Sequence, residues 1–553
     1  MKDLNVLQKN KTKLPDGFAF SKNALTDQAA NLFPSDALET FTHLHRKFNP
    51  RRNELLSMRK ERQHTFDNGA LPTYLDKNSE AASGDWKVAP IPEDLQKRRV
   101  EITGPVNSAK MVINMLSRTA DGDRADMAML DFEDSMKPSW QNVLDGIENV
   151  KKAVEGTLSF VKKGKGDEPE KEYNLNPDDM AGIMVRVRGL HLIESNVVID
   201  GSAVSGGLFD LWMSAYHMVH GQIKRGRTPK FYIPKCEHHL EAKWWNEVLN
   251  EVESVLEVEQ GTIKTTFLIE TLPAAFQIEE ILYELRTRAA GLNVGRWDKI
   301  FSDIKVLKFH PDRVMADRAT INMHKFWMDN YAKRLIKICH SRGAFAIGGM
   351  SAFTPGSSPE IREEQTAKVT ADKANEAAIG HDGCWVSHPY FIGYALDQFK
   401  QDNQLDVLLE DFDKYPDLLP ISEGSKSEDG LRTNIRVGIG YMNGWNQDIG
   451  CVAWDNLMED LATLEISRAQ TWQWLNHQVT LEDGRRVTRE LVASLFGEEL
   501  EKILNEVREA YSNMPETQLN VILNGFRTAA DDAQQIFTAR ELTDFLTNKS
   551  DLA

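Results

Sequence analysis

From residue 100 onward, short apolar runs recur with more polar segments of helical spacing between them. "VEITGP" (100–105), "MAMLDFED" (127–134), "IMVRVRG" (183–189) and "KFYIPK" (230–235) begin the series. "TTFLIET" (265–271), "AAGLNVG" (289–295), "GAFAIGG" (343–349) and "CWVSHP" (384–389) bring it to eight runs. They are mostly apolar rather than strictly alternating, as expected of strands buried on both faces. Segments such as "LEAKWWNEVLNEVESVL" and "NMHKFWMDNYAKRLIKICHS" lie between them and place apolar residues at helical intervals. Eight strands alternating with helices predict an α/β chain built on a (β/α)8 TIM barrel with insertions.

The flanks carry a different pattern. Residues 1–95 read as helices and loops, with "HRKFNPRRNELLSMRKER" (45–62) as a solvated basic helix face. Residues 163–180 form a charged insertion expected to be a hairpin or mobile loop. Residues 354–383 are a long polar connection, partly helical and lid-like, between the last two strands. "SEGSKSEDG" (422–430) reads as a linker, and 431–553 as mainly helical. The expected division is an N-terminal helical clasp (1–95), a barrel (96–420) and a C-terminal helical domain (421–553).

Composition narrows the function. The chain has 553 residues and a formal net charge of −17, which argues against a nucleic-acid partner. No run of eighteen apolar residues occurs, and the start lacks an apolar signal region, so neither a membrane span nor secretion is expected. Cys236, Cys339, Cys384 and Cys451 show no CxxC spacing and fit free thiols in a reducing cytosol.

The chemistry collects where the runs end. Glu133 and Asp134 close the second run, Arg186 and Arg188 the third, Lys235 the fourth and Glu270 the fifth. "GLNVGRWDKIFS" (291–302) adds Asp298, provided the strand is "AAGLNVG" and not "KIFSDI". Active sites of such barrels lie at the carboxyl ends of the strands. Alone, Asp298 reads as a helix cap and Glu270 as the partner of an arginine. Together, two carboxylates from neighbouring strands are also what Mg²⁺ asks of a protein. Arg186 and Arg188 lie two apart, so both would share one face of a strand, each with acidic neighbours. Either could stabilise an oxyanion or merely close the barrel with an ion pair.

In "NLMEDLATLEISR", Asn456 and Glu459 fit a variant capping box, which leaves Asp460 in the first helical turns as an ordinary helix-start residue or a general base. "CEHHLE" and "HDGCWVSH" lack zinc spacing, and "GIGYMNG" (438–444) has the wrong spacing for a dinucleotide loop and suits helix packing better. No GxxxxGK[ST] or GxSxG motif occurs.

"VEITGPVNSAKMVINML", "DFEDSMKPSW", "VRVRGLHL", "IETLPAAFQIEEIL", "GLNVGRWDKIFSDIK", "RGAFAIGGM" and "LMEDLATLEISRAQTWQWL" resemble malate synthase of the shorter isoform A type, from roughly residue 40 to the C-terminus. The resemblance implies condensation of acetyl-CoA with glyoxylate, and hydrolysis of the thioester to malate and CoA, with Mg²⁺. Matched motif by motif, Arg186 is the catalytic arginine, Glu270 and Asp298 the magnesium ligands and Asp460 the catalytic base. Arg186, Gly295, Trp297 and Asp298 fall at substrate-binding positions, Glu133 and Asp134 near the metal, and His388 and Pro389 at the acetyl-CoA cleft. The family also implies a monomer or small homo-oligomer. The chain ends "KSDLA" rather than in a Ser-Lys-Leu-like tripeptide, so a cytoplasmic enzyme is expected. Two other readings stand beside it: a citrate-lyase-β-like or malyl-CoA lyase, which would not hydrolyse the thioester, and a catalytically dead barrel acting as a binding scaffold. The lyases are much shorter chains, and a dead barrel would have lost one of the key residues.

Overall fold

The structure is a computed structural model that describes residues 13–164 and 169–548. Its contacts divide the chain into two units. The first comprises 1–60, 74–295 and 332–415, and the second 61–73, 296–331 and 416–553.

The first unit holds the barrel. Strands β1 (Val100–Pro105), β2 (Met127–Asp131), β3 (Gly182–Arg186) and β4 (Lys230–Ile233) are followed by β5 (Lys264–Ile269), β6 (Ala289–Val294), β7 (Phe345–Ser351) and β8 (Gly383–Val386). Each pairs in parallel with the next, and β8 closes on β1 through Cys384 opposite Val100, Trp385 opposite Glu101 and Val386 opposite Ile102. Every one of the eight apolar runs is a strand. The choice between "AAGLNVG" and "KIFSDI" falls to the first, because 289–294 is β6 and Arg296–Val306 is a helix.

The barrel interior is filled by Met127, Met129, Met184, Tyr232, Leu268, Phe345, Ile347 and Trp385, all buried. A carboxylate is built into it. Glu101 is fully buried and accepts from Arg98 Nε (2.6 Å), Tyr232 Oη (2.5 Å) and Trp385 Nε1 (2.8 Å). A buried carboxylate is tolerable only when so completely bonded.

At the charged insertion, Ser159–Lys162 pairs antiparallel with Lys171–Asn174, and residues 165–168 of the expected hairpin or loop lie outside the described residues. The connection after β7 is largely one helix, Pro359–Ile379, capped by Ser358 and ended by left-handed Gly380. The basic stretch at 45–62 lies in a helix, Ser35–Asp67, but its face is not wholly solvated. Arg59 is buried and donates to both oxygens of Glu241 (2.8 and 2.6 Å), while Arg52 is buried on the carbonyls of Leu190 and Leu192. Charge spacing along a helix shows which residues share a face, not whether another element supplies a buried carboxylate for it.

The second unit is mainly helical, with Glu428–Trp445, Leu461–Asn476, Arg489–Ala510 and Glu516–Phe537. "GIGYMNG" lies inside the first of these and serves packing. A Cβ on Gly440 would come 2.5 Å from the Trp454 ring, and one on Gly438 2.6 Å from the Phe537 ring. The segment expected as a linker is anchored, since Ser427 donates its N–H and hydroxyl to Asp317 (3.1 and 2.7 Å) and caps the helix beginning at Glu428. No helix of the described residues is long and apolar enough to cross a membrane.

Candidate active site

In the barrel unit the site begins with two strand ends. Asp131 ends β2 and Arg186 ends β3, and the two are register partners. Arg186 donates through Nε and Nη2 to the two Asp131 oxygens, each at 2.6 Å, and both side chains are buried. Such a paired fork fixes the guanidinium plane as well as its position. Asp131 also accepts the N–H of Glu133 (2.9 Å) and both the N–H and hydroxyl of Ser135 (3.0 and 2.5 Å). One carboxylate therefore holds the arginine and shapes the turn that presents Glu133 and Asp134.

Those two acids face cations. Arg186 Nη1 lies 3.4 Å from Glu133 and 3.7 Å from Asp134. Lys235, in left-handed backbone just past β4, sets Nζ 2.6 Å from Asp134, 3.0 Å from Glu133 and 3.8 Å from Glu270. Burial, and next the charge of Asp134, push the Glu133 carboxyl well above the usual range against the pull of Lys235 and Arg186. For Asp134 burial acts in the same direction, but Lys235 and Arg186 outweigh it and bring the group down to about 2.

Glu270 follows β5 directly and is fully buried. Its Oε1 accepts the N–H of Lys235 (2.6 Å), whereas its Oε2 has no hydrogen-bond partner. Gly295, just past β6, makes room for it, since a Cβ there would stand 2.6 Å from Glu270 Cβ and 2.8 Å from Oε2. A buried, unbonded carboxylate oxygen beside further buried acidic oxygens suits a hard divalent cation. Among the described residues, no group of three or more His, Cys, Asp or Glu side chains could hold a metal ion. Mg²⁺ does not require one, because it commonly takes one or two carboxylates and completes its shell with water and substrate.

Arg188 does not join this group. β3 ends at Arg186, so strand alternation no longer governs the residue two positions on. Arg188 instead binds Asp210 (2.8 Å) and Glu194 (2.9 Å). The acidic partners expected for both arginines are present, but on different elements. His388 and Pro389 follow β8 and are half-buried. His388 caps the short helix Pro389–Phe391 by accepting the Tyr390 N–H (3.1 Å), and burial lowers its pKa.

In the second unit, Trp297 and Asp298 lie in the first turn of Arg296–Val306, with Asp298 buried and the Arg296 guanidinium over the Trp297 ring. Asp460 is the N-cap of Leu461–Asn476, accepting the Thr463 N–H at 3.2 Å while Thr463 Oγ1 bonds back in a capping box. The box expected from Asn456 and Glu459 does not form. Asn456 sits in left-handed backbone in the turn of the hairpin Val452–Trp454/Leu457–Glu459, and Glu459 pairs with Arg318 (2.7 Å). The two helices pack on each other, with Arg468 over the Phe301 ring and His477 bonded to the Lys308 carbonyl. These contacts ascend together along both segments, so the helices run parallel and Asp298 and Asp460 lie at the same end of the pair.

Sequence reasoning missed Asp131 and Trp385. Asp131 had a signal, because aligning the predicted ends of β2 and β3 places it beside Arg186. Trp385, whose ring lies 5.8 Å from the Arg186 guanidinium, had none beyond its place in a strand.

Fold and site define a (β/α)8-barrel enzyme with an arginine and a cluster of carboxylates at the carboxyl ends of its strands. Family models described as "Malate synthase, N-terminal domain", "Malate synthase, TIM barrel domain" and "Malate synthase, C-terminal" match residues 17–79, 182–412 and 425–551. Malate synthase A of Escherichia coli (strain K12) is 43% identical over 539 residues, covering 96% of this chain and 97% of that one. Malate synthase of Myxococcus xanthus (strain DK1622) is 44% identical over 525 residues, covering 94% and 93%. The glyoxysomal malate synthase of Candida tropicalis is 40% identical over 498 residues, covering 88% of each. The chain belongs to the malate synthase family.

Proposed function

We propose that this chain is a magnesium-dependent malate synthase of the isoform A type, which condenses acetyl-CoA with glyoxylate and hydrolyses the thioester to release malate and CoA. The observation that carries this is the pairing of near-full-length similarity with a buried, fork-held Arg186 beside the unbonded oxygen of Glu270.

Glu270 and Asp298 are the residues that would hold magnesium, which when bound supplies Lewis-acid polarisation of the glyoxylate aldehyde. The chain's own groups then have separable tasks. Thioester methyl protons are very weakly acidic, so removal by a carboxylate needs the developing enolate oxygen to be stabilised at the same time. Arg186, held rigid by Asp131, is assigned that stabilisation, and Asp460, oriented by the Thr463 N–H, takes the proton. Gly295 leaves space for the Glu270 carboxylate, and Trp297 and Asp298 complete the glyoxylate side. Glu133 and Asp134 set the charge around the metal, and His388 and Pro389 border the acetyl-CoA cleft.

The division into an N-terminal clasp, a barrel and a C-terminal helical domain is retained as the working organisation. A cytoplasmic location is supported by Cys236, Cys339, Cys384 and Cys451 all being free thiols, and a monomer or small homo-oligomer is the expected state. The lyase reading is disfavoured by the matched C-terminal domain, and the scaffold reading by the presence of Arg186, Glu270, Asp298 and Asp460 together.

The test is release of CoA thiol from acetyl-CoA, with and without glyoxylate and with magnesium present or chelated. Release that needs both, with malate as product, is the expected result. Tight acetyl-CoA binding without thiol release would overturn it. Asp460→Asn keeps an N-cap side chain but removes the base. That variant should retain glyoxylate and magnesium binding while losing most turnover, and full activity would remove Asp460 from the mechanism.

A further inference from the structure

The opposite end of the barrel holds charge that the proposed reaction does not use. β4 and β5 begin with lysines, Lys230 and Lys264, which are register partners. Tyr232 and Leu268, farther along the same strands, point into the barrel core, so the alternation of a strand turns both lysines inward as well. They form a basic layer just inside the amino-terminal opening.

The two are not equally provided for. Lys230 donates to the Thr228 carbonyl (3.2 Å) and lies 3.6 Å from Asp94. Asp94 is also engaged by the Thr228 N–H (2.9 Å) and hydroxyl (2.5 Å). Lys264 is only 6% exposed, and while its backbone N–H donates to the Pro229 carbonyl (2.9 Å), its side chain has no hydrogen bond or ion pair with a described residue. The charges that act on it are Arg288, which repels it, and Glu253, which attracts it. Glu253 is itself taken up by Arg288 (3.0 Å) and by the N–H groups of Gly261 (2.9 Å) and Ile263 (2.7 Å).

Lys264 borders a cavity of about 650 Å³ at this end of the barrel. Arg227, Thr262 and Thr228 share its wall, with Glu93 and Asp94 on the acidic side. Arg227 is exposed and, like Lys264, forms no ion pair with a described residue. The Lys264 ammonium reaches this cavity with no carboxylate paired to it, and an anion entering the cavity would supply that partner. We propose that this cavity is a binding site for a small oxyanion, a phosphate or carboxylate group, held by Lys264 from within and Arg227 from the rim. The site is independent of the malate synthase reading.

The experiment is calorimetric titration of the whole chain, with magnesium chelated, by inorganic phosphate and separately by succinate. Saturable binding of at least one is expected, weakened about tenfold or more in Lys264→Met, as for loss of a charged hydrogen bond. Arg227→Gln should weaken it too, and decides the matter if the Lys264 variant does not fold. Lys502→Gln, an exposed cation of the second unit that takes no part in the proposed reaction, should bind as the unaltered chain does. Phosphate alone binding assigns a phosphoryl ligand, and succinate alone a carboxylate. No saturable heat with either anion, or affinity unchanged in both Lys264→Met and Arg227→Gln, or an equal loss in Lys502→Gln, would overturn the proposal.

Discussion

Asp131 and Arg186 are register partners on neighbouring strands, and their side chains meet fork to fork with both contacts at 2.6 Å. The carboxylate that orients the proposed catalytic arginine thus comes from the adjacent strand end, not from the acidic pair two and three residues later. Asp131→Asn keeps the shape but replaces one acceptor with a donor and removes the charge. Arg186 is then free to turn toward Glu133 and Asp134. The expected result is a roughly 10- to 100-fold fall in kcat, typical for residues that orient a reacting group, with a much smaller change in KM for acetyl-CoA. Steady-state kinetics on a variant with unchanged circular dichroism checks this. A rise in KM at constant kcat would show that Asp131 does not act through Arg186.

Gly295 matters for the room it leaves. Gly295→Ala puts a methyl within 2.8 Å of the Glu270 Oε2 position, against a side chain too buried to step aside. Magnesium affinity, read by calorimetry, should fall on the order of tenfold or more while the fold persists. Gly497→Ala is the control. That helical position opens onto free space, so the change should stabilise by about 1 kcal/mol and leave magnesium binding alone. Equal metal affinity in Gly295→Ala and the unaltered chain would remove Glu270 from the ligand set.

His381 gives the chain an acid sensitivity away from the site. Burial lowers its pKa to about 4, and its Nδ1 lies 3.1 Å from the Ala346 carbonyl. The folded pKa lies below the ordinary 6.5, so the neutral ring is the form the fold accepts. The associated stability is fully present above pH 6.5 and is lost as pH falls toward 4, reaching about 3 kcal/mol. His340 works in the opposite direction. Burial would lower its pKa, but Asp382 raises it, so its contribution is kept in acid and lost as pH rises. A His381→Asn variant should therefore lose less melting temperature between pH 6.5 and 4 than the unaltered chain. Parallel melting curves across that window would contradict the assignment.

The barrel was legible because its strands are buried on both faces and interrupted by helices, so each apolar run has clear ends. The site was legible where a charged residue stands at such an end, as Arg186, Lys235 and Glu270 do. Legibility failed where a partner lies far away in sequence. Nothing local distinguishes Arg59, paired with Glu241, from the exposed basic residues of the same helix. It failed again at Asn456, where a hairpin turn and a helix cap favour the same residue type and only tertiary placement decides. Asp460 shows the converse, because its capping role is visible in the structure while its assignment as a base rests on family resemblance and on the experiment above.

The hydrogen bond from Trp385 to Glu101 spans 284 positions of sequence, and it lies on the seam where β8 meets β1. Seven of the barrel's eight junctions join strands that follow one another along the chain; this one joins the last to the first. During synthesis β1 must therefore wait with one edge unpaired until the final strand has left the ribosome. An open edge of this kind invites pairing with the wrong chain, and closing so long a loop is slow. The Glu101 carboxylate, bonded by Tyr232 of β4 and Trp385 of β8 as well as by nearby Arg98, would lose partners in a slipped seam, which disfavours it. Only the correct register satisfies that buried acid, at the edge that an unclosed barrel leaves open to pairing.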